Sequence, residues 1–267
     1  MPEPEYIFTD TQFESELERL KMLEKIFDPH SHRRILAAGL TQGWQCLEVG
    51  AGAGSIMAWM SKIVGESGKV VAVDVDVRFI EHTSLSNVEM IKGDIRQIAL
   101  NSHSFDLIHI RNVLIHVADF EFALSKILDL LKPNGWLVIE EPDFSASRVI
   151  HGDREQSQAV NKVNQAICQM FTDKGLDYSF GIRLPSLLQE LGLQHIEVEN
   201  DVPISPGGSD VATMMKLSAL QLAEKYIATG KVSREDIHKY CQFAENQTSW
   251  GVYLATVGVI GQKRDDT

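Results

Sequence analysis

Cysteine is scarce in this sequence: Cys46, Cys168 and Cys241 are three among 267 residues, odd in number and far apart. Such spacing makes neither a disulfide framework nor a zinc site, and it suits a reducing compartment. Basic charge is also short. Lys and Arg total 25 against 37 Asp and Glu, a net charge of -12. That balance argues against nucleic acid and anionic membrane as partners. Long apolar runs are missing, since the longest, Trp250 to Ile260, is too short to cross a bilayer as a helix. The opening MPEPEYIFTD is acidic where a signal peptide is basic and then apolar. No internal repeat or low-complexity tract is present. What remains, 44% hydrophobic and 23% charged, is an ordinary globular mixture. The expectation is a cytoplasmic, single-domain chain, monomer or homodimer, acting on a small molecule.

Hydrophobic period divides the chain. Phe13, Leu17, Leu20, Leu23 and Phe27 lie on one helical face, and Ser31 to Leu40 reads as a second short helix; together they form an N-terminal cap over residues 1–43. From Trp44 the pattern changes. Cys46 to Val49, Lys69 to Asp74, Val88 to Ile91, Phe105 to Ile110 and Trp136 to Glu140 read as strands, with apolar runs typical of parallel sheets buried on both faces. Helices at Ser55 to Val64 and after Asp119, a candidate cap, separate them. Later helices occupy Arg154 to Lys174, Leu184 to Leu191, the Met- and Leu-rich stretch to Gly230, and Ser233 to Asn246. Leu193 to Val198 and Trp250 to Lys263 read as closing strands. Alternating strands and helices imply an α/β, doubly wound, Rossmann-like sheet. Residues 44–267 then form one core, with helical lid insertions near 146–180 and 205–247.

The most informative residues are Glu48-Val49-Gly50-Ala51-Gly52-Ala53-Gly54. Glycines between a buried strand and a helix N-terminus let the backbone approach a ligand, where the helix end adds positive potential. Asp74 ends the next strand, where an acid accepts hydrogen bonds from both ribose hydroxyls of a nucleoside. The dinucleotide fingerprint requires glycine at its sixth position, and Ser55 stands there.

The stretch from Glu48 to Gly54 resembles the first motif of class I S-adenosylmethionine-dependent methyltransferases, in which an acid precedes alternating glycines. The resemblance continues through Asp74, Gly93-Asp94-Ile95, Phe105-Asp106-Leu107-Ile108 and Leu131-Lys132-Pro133-Asn134-Gly135, and covers Ile35 to Glu141. It implies a seven-stranded sheet whose last strand is antiparallel, with S-adenosylmethionine as cofactor and S-adenosylhomocysteine as product. It implies that Gly50, Gly52 and Gly54 admit the methionine and ribose portions, and that Glu48 organises the turn and the cofactor's amino group. Asp94 and the Ile95 backbone take the adenine edge, Asp74 takes the ribose, and Arg111 touches the methionine end. Tyr6 lies where some relatives close over the cofactor.

Methyl transfer needs an oriented acceptor and, for some acceptors, a base. His116, in Arg111-Asn112-Val113-Leu114-Ile115-His116-Val117, is a candidate base or a structural histidine. Glu140-Glu141-Pro142-Asp143 directly follows the fifth strand. Glu141 is a candidate catalytic acid or base; the cluster could also hold a cationic acceptor, and a solvated or backbone-capping role is favoured. A metal there lacks acidic partners at the end of strand four, so none is expected. His151, Tyr178 and Arg183 are pocket-lining or surface residues. The Met214-Met215 helix is a lid or a core element. No Asn/Asp-Pro-Pro-aromatic tetrad and no paired-glutamate hairpin is present, so a small-molecule acceptor, such as a specialised metabolite, is favoured. Rival readings are a cofactor-binding cyclase or isomerase, a non-catalytic partner subunit and a dehydrogenase.

Overall fold

The computed structural model describes residues 6–8 and 12–265; the acidic opening residues 1–5 and 9–11 lie outside it. The chain packs as two compact units, and it passes between them several times. Phe27–Glu141, Gly181–Glu199 and Val257–Thr267 form the sheet unit. Met1–Ile26, Pro142–Phe180 and Asn200–Thr256 form the helical unit.

The sheet unit has seven strands: β1 (Gln45–Val49), β2 (Lys69–Asp74), β3 (Val88–Lys92), β4 (Phe105–Arg111), β5 (Leu131–Asp143), β7 (Gln194–Asp201) and β10 (Ala255–Gln262). Their order is β3-β2-β1-β4-β5-β10-β7. Strands β1 to β5 pair in parallel, and the last strand is antiparallel. The order reverses between β1 and β4, and open α/β sheets bind ligands in the crevice beyond the strand ends at such a point. The apolar runs are buried as their composition requires: Cys46, Leu47, Val70, Ala72, Leu107, Ile108 and Ile110 are all inaccessible to solvent. Helices α2 (Ser55–Val64) and α3 (Phe120–Leu130) supply crossovers, each burying an apolar stripe.

Four details differ from the sequence reading. The N-terminal residues form one helix, α1 (Phe13–Ala37), with Pro29 inside it, rather than two helices. Proline removes one helical hydrogen bond, and burial of Phe27 before it and of Ser31, Arg34 and Ile35 after it outweighs that loss. Asp119 stands at the N-terminus of α3, but its side chain makes no capping bond. Strand β5 begins at Leu131, and its register shifts before Trp136, so Pro133-Asn134-Gly135 lies in an irregular stretch of strand. The closing strand is divided in two, β9 (Trp250–Val252) and β10.

The helical unit contains a second sheet of three short strands, in the order β6 (Arg148–His151), β9 and β8 (Ile204–Pro206), all antiparallel. Helix α8 (Arg234–Glu245) packs on α4 (Arg154–Asp173) and α6 (Asp210–Gln221), while α7 (Ala223–Ala228) packs on α4, α6 and α8. Helix α5 (Phe180–Glu190) leads back to the sheet unit. Ser233 and Asp236 close a reciprocal capping box on α8. Met214 and Met215 are buried. Tyr6 donates to Glu16 Oε1 (3.0 Å) and accepts from Arg19 (3.1 Å), which ties it to the start of α1. No described helix is long and apolar enough to cross a membrane.

Candidate active site

Beyond the end of β1 the backbone turns sharply. Gly50, Gly52 and Gly54 have φ of 77°, 55° and 89°, left-handed values that side chains resist. At Gly50 the requirement is also spatial: a Cβ there would lie 2.2 Å from Val113 Cγ2. The glycine therefore lets the loop after β4 close onto the turn. Gly54 is the N-cap residue of α2.

Asp74 joins the second strand to this turn. Its Oδ2 accepts from the Gly52 N–H at 2.8 Å, and its Oδ1 accepts from the Asp76 N–H at 2.8 Å. Burial raises its pKa to about 6, against the opposing effect of those two bonds. Each carboxylate oxygen has two acceptor positions, so one on each remains for a vicinal diol. The donor set thus fits an adenosine ribose beside a glycine-lined backbone.

Asp94 caps the turn after β3. Its carboxylate accepts from the Arg96 N–H (2.8 Å) and is held by the Arg96 guanidinium, with Nη2 to Oδ2 at 2.6 Å. Burial opposes ionisation, and Arg96 more than compensates, so its pKa is lowered. Ile95 beside it is buried.

A row of charged side chains crosses one face of the sheet. Glu48 on β1 pairs in register with His109 on β4, so both project to the same side. His109 Nδ1–H donates to Glu48 Oε2 at 2.8 Å, and Nε2 lies 3.6 Å from Glu140 Oε1. All three are buried. Glu140 Oε2 accepts from Ser31 Oγ at 2.8 Å and lies 3.5 Å from Arg34 Nη1. Arg111 donates to Ser31 Oγ (2.8 Å) and Asp28 Oδ1 (2.9 Å). Arg34 also pairs with Glu199 at 3.0 Å. It crosses β10 at Gly258, where a Cβ would lie 2.2 Å from its Nε. Burial disfavours the charged imidazole, but Glu48 and Glu140 outweigh it and raise the pKa of His109 to about 9. Burial likewise opposes ionisation of Glu140, while His109, Arg111 and Arg34 pull its pKa down to about 2.

The other acid of the pair faces elsewhere. Glu141 Oε1 accepts from the N–H groups of Val113 (3.0 Å) and Leu114 (2.7 Å), and Oε2 from Ile115 (3.3 Å). It therefore caps the single 3-10 turn Leu114–His116. Burial raises its pKa to about 7, and the three backbone donors only partly offset this. Among the sequence readings of this cluster, backbone capping describes Glu141, and Asp143 caps the following turn through Ser145 N–H at 2.8 Å. His116 ends the turn that Glu141 holds, half-buried. In the same unit, Arg183 lies over the Phe120 ring at 5.2 Å.

His109, Ser31, Asp28 and Arg34 were not among the sequence candidates. The signal for His109 was present, because an ionisable ring inside an apolar parallel strand requires a partner. The others depend on how α1 lies over the sheet, which no local pattern encodes.

The family model described as a methyltransferase domain matches residues 47–139. That span runs from the residue before Glu48 through the turn, Asp74, Asp94, His109 and Arg111 to the end of the β5 core. Over that span this chain is similar to methyltransferase domains. Among curated relatives, the methyltransferase str2 of Strobilurus tenacellus is 27% identical over 210 residues, 73% of this chain and 74% of its own. A demethylmenaquinone methyltransferase of Staphylococcus aureus is 32% identical over 108 residues, 39% of this chain and 45% of its own. The match to another first relative likewise spans only 36% of that protein. The methyltransferase fold extends further than those alignments. The crystal structure of the 4+2 cyclase SpnF has a TM-score of 0.56 at 18% identity, covering 91% of this chain and 81% of that one.

Proposed function

We propose that the protein transfers a methyl group from S-adenosylmethionine to a small-molecule acceptor such as a specialised metabolite. The observation that carries this reading is the hydrogen bond from Gly52 N–H to Asp74, which joins the glycine turn and the ribose acid into one binding edge. When bound, the cofactor supplies an electrophilic sulfonium methyl for in-line displacement. Asp74 accepts from the ribose hydroxyls, and Gly50, Gly52 and Gly54 keep that edge free of side chains. Asp94 and the Ile95 backbone take the adenine edge. Glu48 takes the amino group, and Arg111 takes the carboxylate end of the methionine portion. His116 removes the acceptor's proton where the acceptor carries one, and Glu141 fixes the turn that presents it. Nucleic acid is not a partner in this reading, and the chain acts as a monomer or homodimer.

Isothermal titration with S-adenosylmethionine, with NAD as control, tests the reading: binding on the order of micromolar to the first and none to the second is expected. Binding of neither defeats it. The mass of the product separates methyl transfer, which adds one methyl group, from cyclisation or isomerisation, which add nothing.

Two further outcomes follow from Asp74. Asp74→Ala loses both ribose bonds, and its affinity for the cofactor falls by about 1–3 kcal/mol, roughly five- to 150-fold. Wild-type affinity in that variant contradicts the assignment. Because the carboxyl titrates near pH 6 and accepts both hydroxyls only when ionised, cofactor binding weakens as pH drops below about 6. The slope approaches tenfold per pH unit well below that value. Titrations between pH 5 and 8 check this, with the slope absent in Asp74→Asn.

A further inference from the structure

We infer that His109 is a positioning residue for the cofactor's amino group: it orients the Glu48 carboxylate by lying between the carboxylates of Glu48 and Glu140. This inference rests on the proposed use of Glu48.

The geometry places two buried acids on either side of one imidazole, at 2.8 Å and 3.6 Å. Glu48 is 3% exposed and Glu140 fully buried, so neither is neutralised by bulk water. Carboxylates that share a buried site do not both ionise unless a cation stands among them, and without it one takes up a proton. Glu140 is the better supported of the two, since Ser31, Arg34 and the field of Arg111 also serve it. Among the described residues Glu48 is bonded only through Oε2, to His109. Loss of the imidazole therefore falls on Glu48, which loses the bond that fixes its carboxyl. A carboxyl that is free to turn holds an ammonium group less well than one already fixed toward it. The bond to Oε2 also orients the acid, leaving Oε1 for a ligand two residues ahead of Gly50. Asp74, at the end of β2, is tied to Gly52 and Asp76 instead. The hydrogen bonds that hold the nucleoside edge are thus made independently of His109.

That independence defines the test. S-adenosylhomocysteine carries the α-amino group, while 5′-methylthioadenosine shares the adenosine and the sulfur but has no amino acid portion. Titrating both ligands into the wild type, His109→Leu and His109→Gln compares the two ends of the site in one protein. The expected result is a loss of tenfold or more in affinity for S-adenosylhomocysteine in His109→Leu. Affinity for 5′-methylthioadenosine stays within about twofold of wild type. His109→Gln keeps a donor toward Glu48 without the charge and falls between. Equal weakening of both ligands assigns His109 a purely structural role and overturns the inference, as does unchanged binding of both. If His109→Leu does not fold, the same comparison on His109→Gln decides. If the wild type itself binds neither ligand, the proposed function fails and not the assignment of His109 alone.

Discussion

Replacing Glu141 by alanine should nearly abolish turnover while leaving cofactor binding within a few-fold of wild type. The reason is positional. The carboxylate accepts from three consecutive backbone N–H groups, Val113, Leu114 and Ile115, and has no exposure to water. Alanine leaves those donors facing a cavity, at a cost to folding of about 2–4 kcal/mol after the relief of burying an acid is counted. The freed turn carries His116 at its end and Val113 against Gly50. A displacement of about 1 Å in a catalytic group costs on the order of a hundredfold in rate. Glu141→Gln is the informative companion. Its amide oxygen can replace Oε1, which serves Val113 and Leu114, while its NH2 cannot accept the longer 3.3 Å bond from Ile115. A loss of about 1 kcal/mol and partial activity are expected. Chemical denaturation and steady-state rates distinguish the pair. Full activity in a folded Glu141→Ala variant removes Glu141 from any role in positioning.

The same residues show what a sequence can and cannot reveal. The glycine turn was legible because left-handed backbone leaves few alternatives, and the five parallel strands because burial on both faces leaves long apolar runs. Asp74 was legible as the acid ending the next strand. The role of Glu141 stayed open, since adjacent acids after a strand alternate in direction: one faces the charged row and its neighbour the turn. Helix α1 was read as two helices, one to Phe27 and one from Ser31, and Pro29 lies in the gap between them. The continuity of α1 depends on tertiary burial that outweighs one missing bond. The three-stranded sheet was missed for a different reason. Strands of three and four residues, drawn from positions near 150, 205 and 251, carry too little period to register and are defined only by their pairing.

Glu140→Ala should be the most destabilising substitution in the sheet unit, at about 3–5 kcal/mol, the usual cost of leaving a buried charge without its partner. His109 loses one of its two carboxylates, and Arg34, 1% exposed, loses the carboxylate 3.5 Å from its Nη1. Arg34 occupies the space that a Cβ at Gly258 would fill. The effect carries a pH signature whose sign is fixed by the two shifts. Glu140 is depressed to about 2, so its contribution is complete above its ordinary value of 4.5 and is lost as pH falls toward 2. His109 is raised to about 9, so its contribution is complete below its ordinary value of 6.5 and fades as pH rises through 9. Both act fully between pH 4.5 and 6.5. Asp74 and Glu141 bind protons more tightly folded than unfolded, so they withdraw stability as pH rises from 3.8 to about 6 and from 4.5 to about 7, and add nothing further above that. Urea denaturation of wild type and Glu140→Ala across pH 3 to 9 should show a wide gap near pH 6 that narrows below pH 4.5. A gap independent of pH would mean that Glu140 acts through packing and not through its charge.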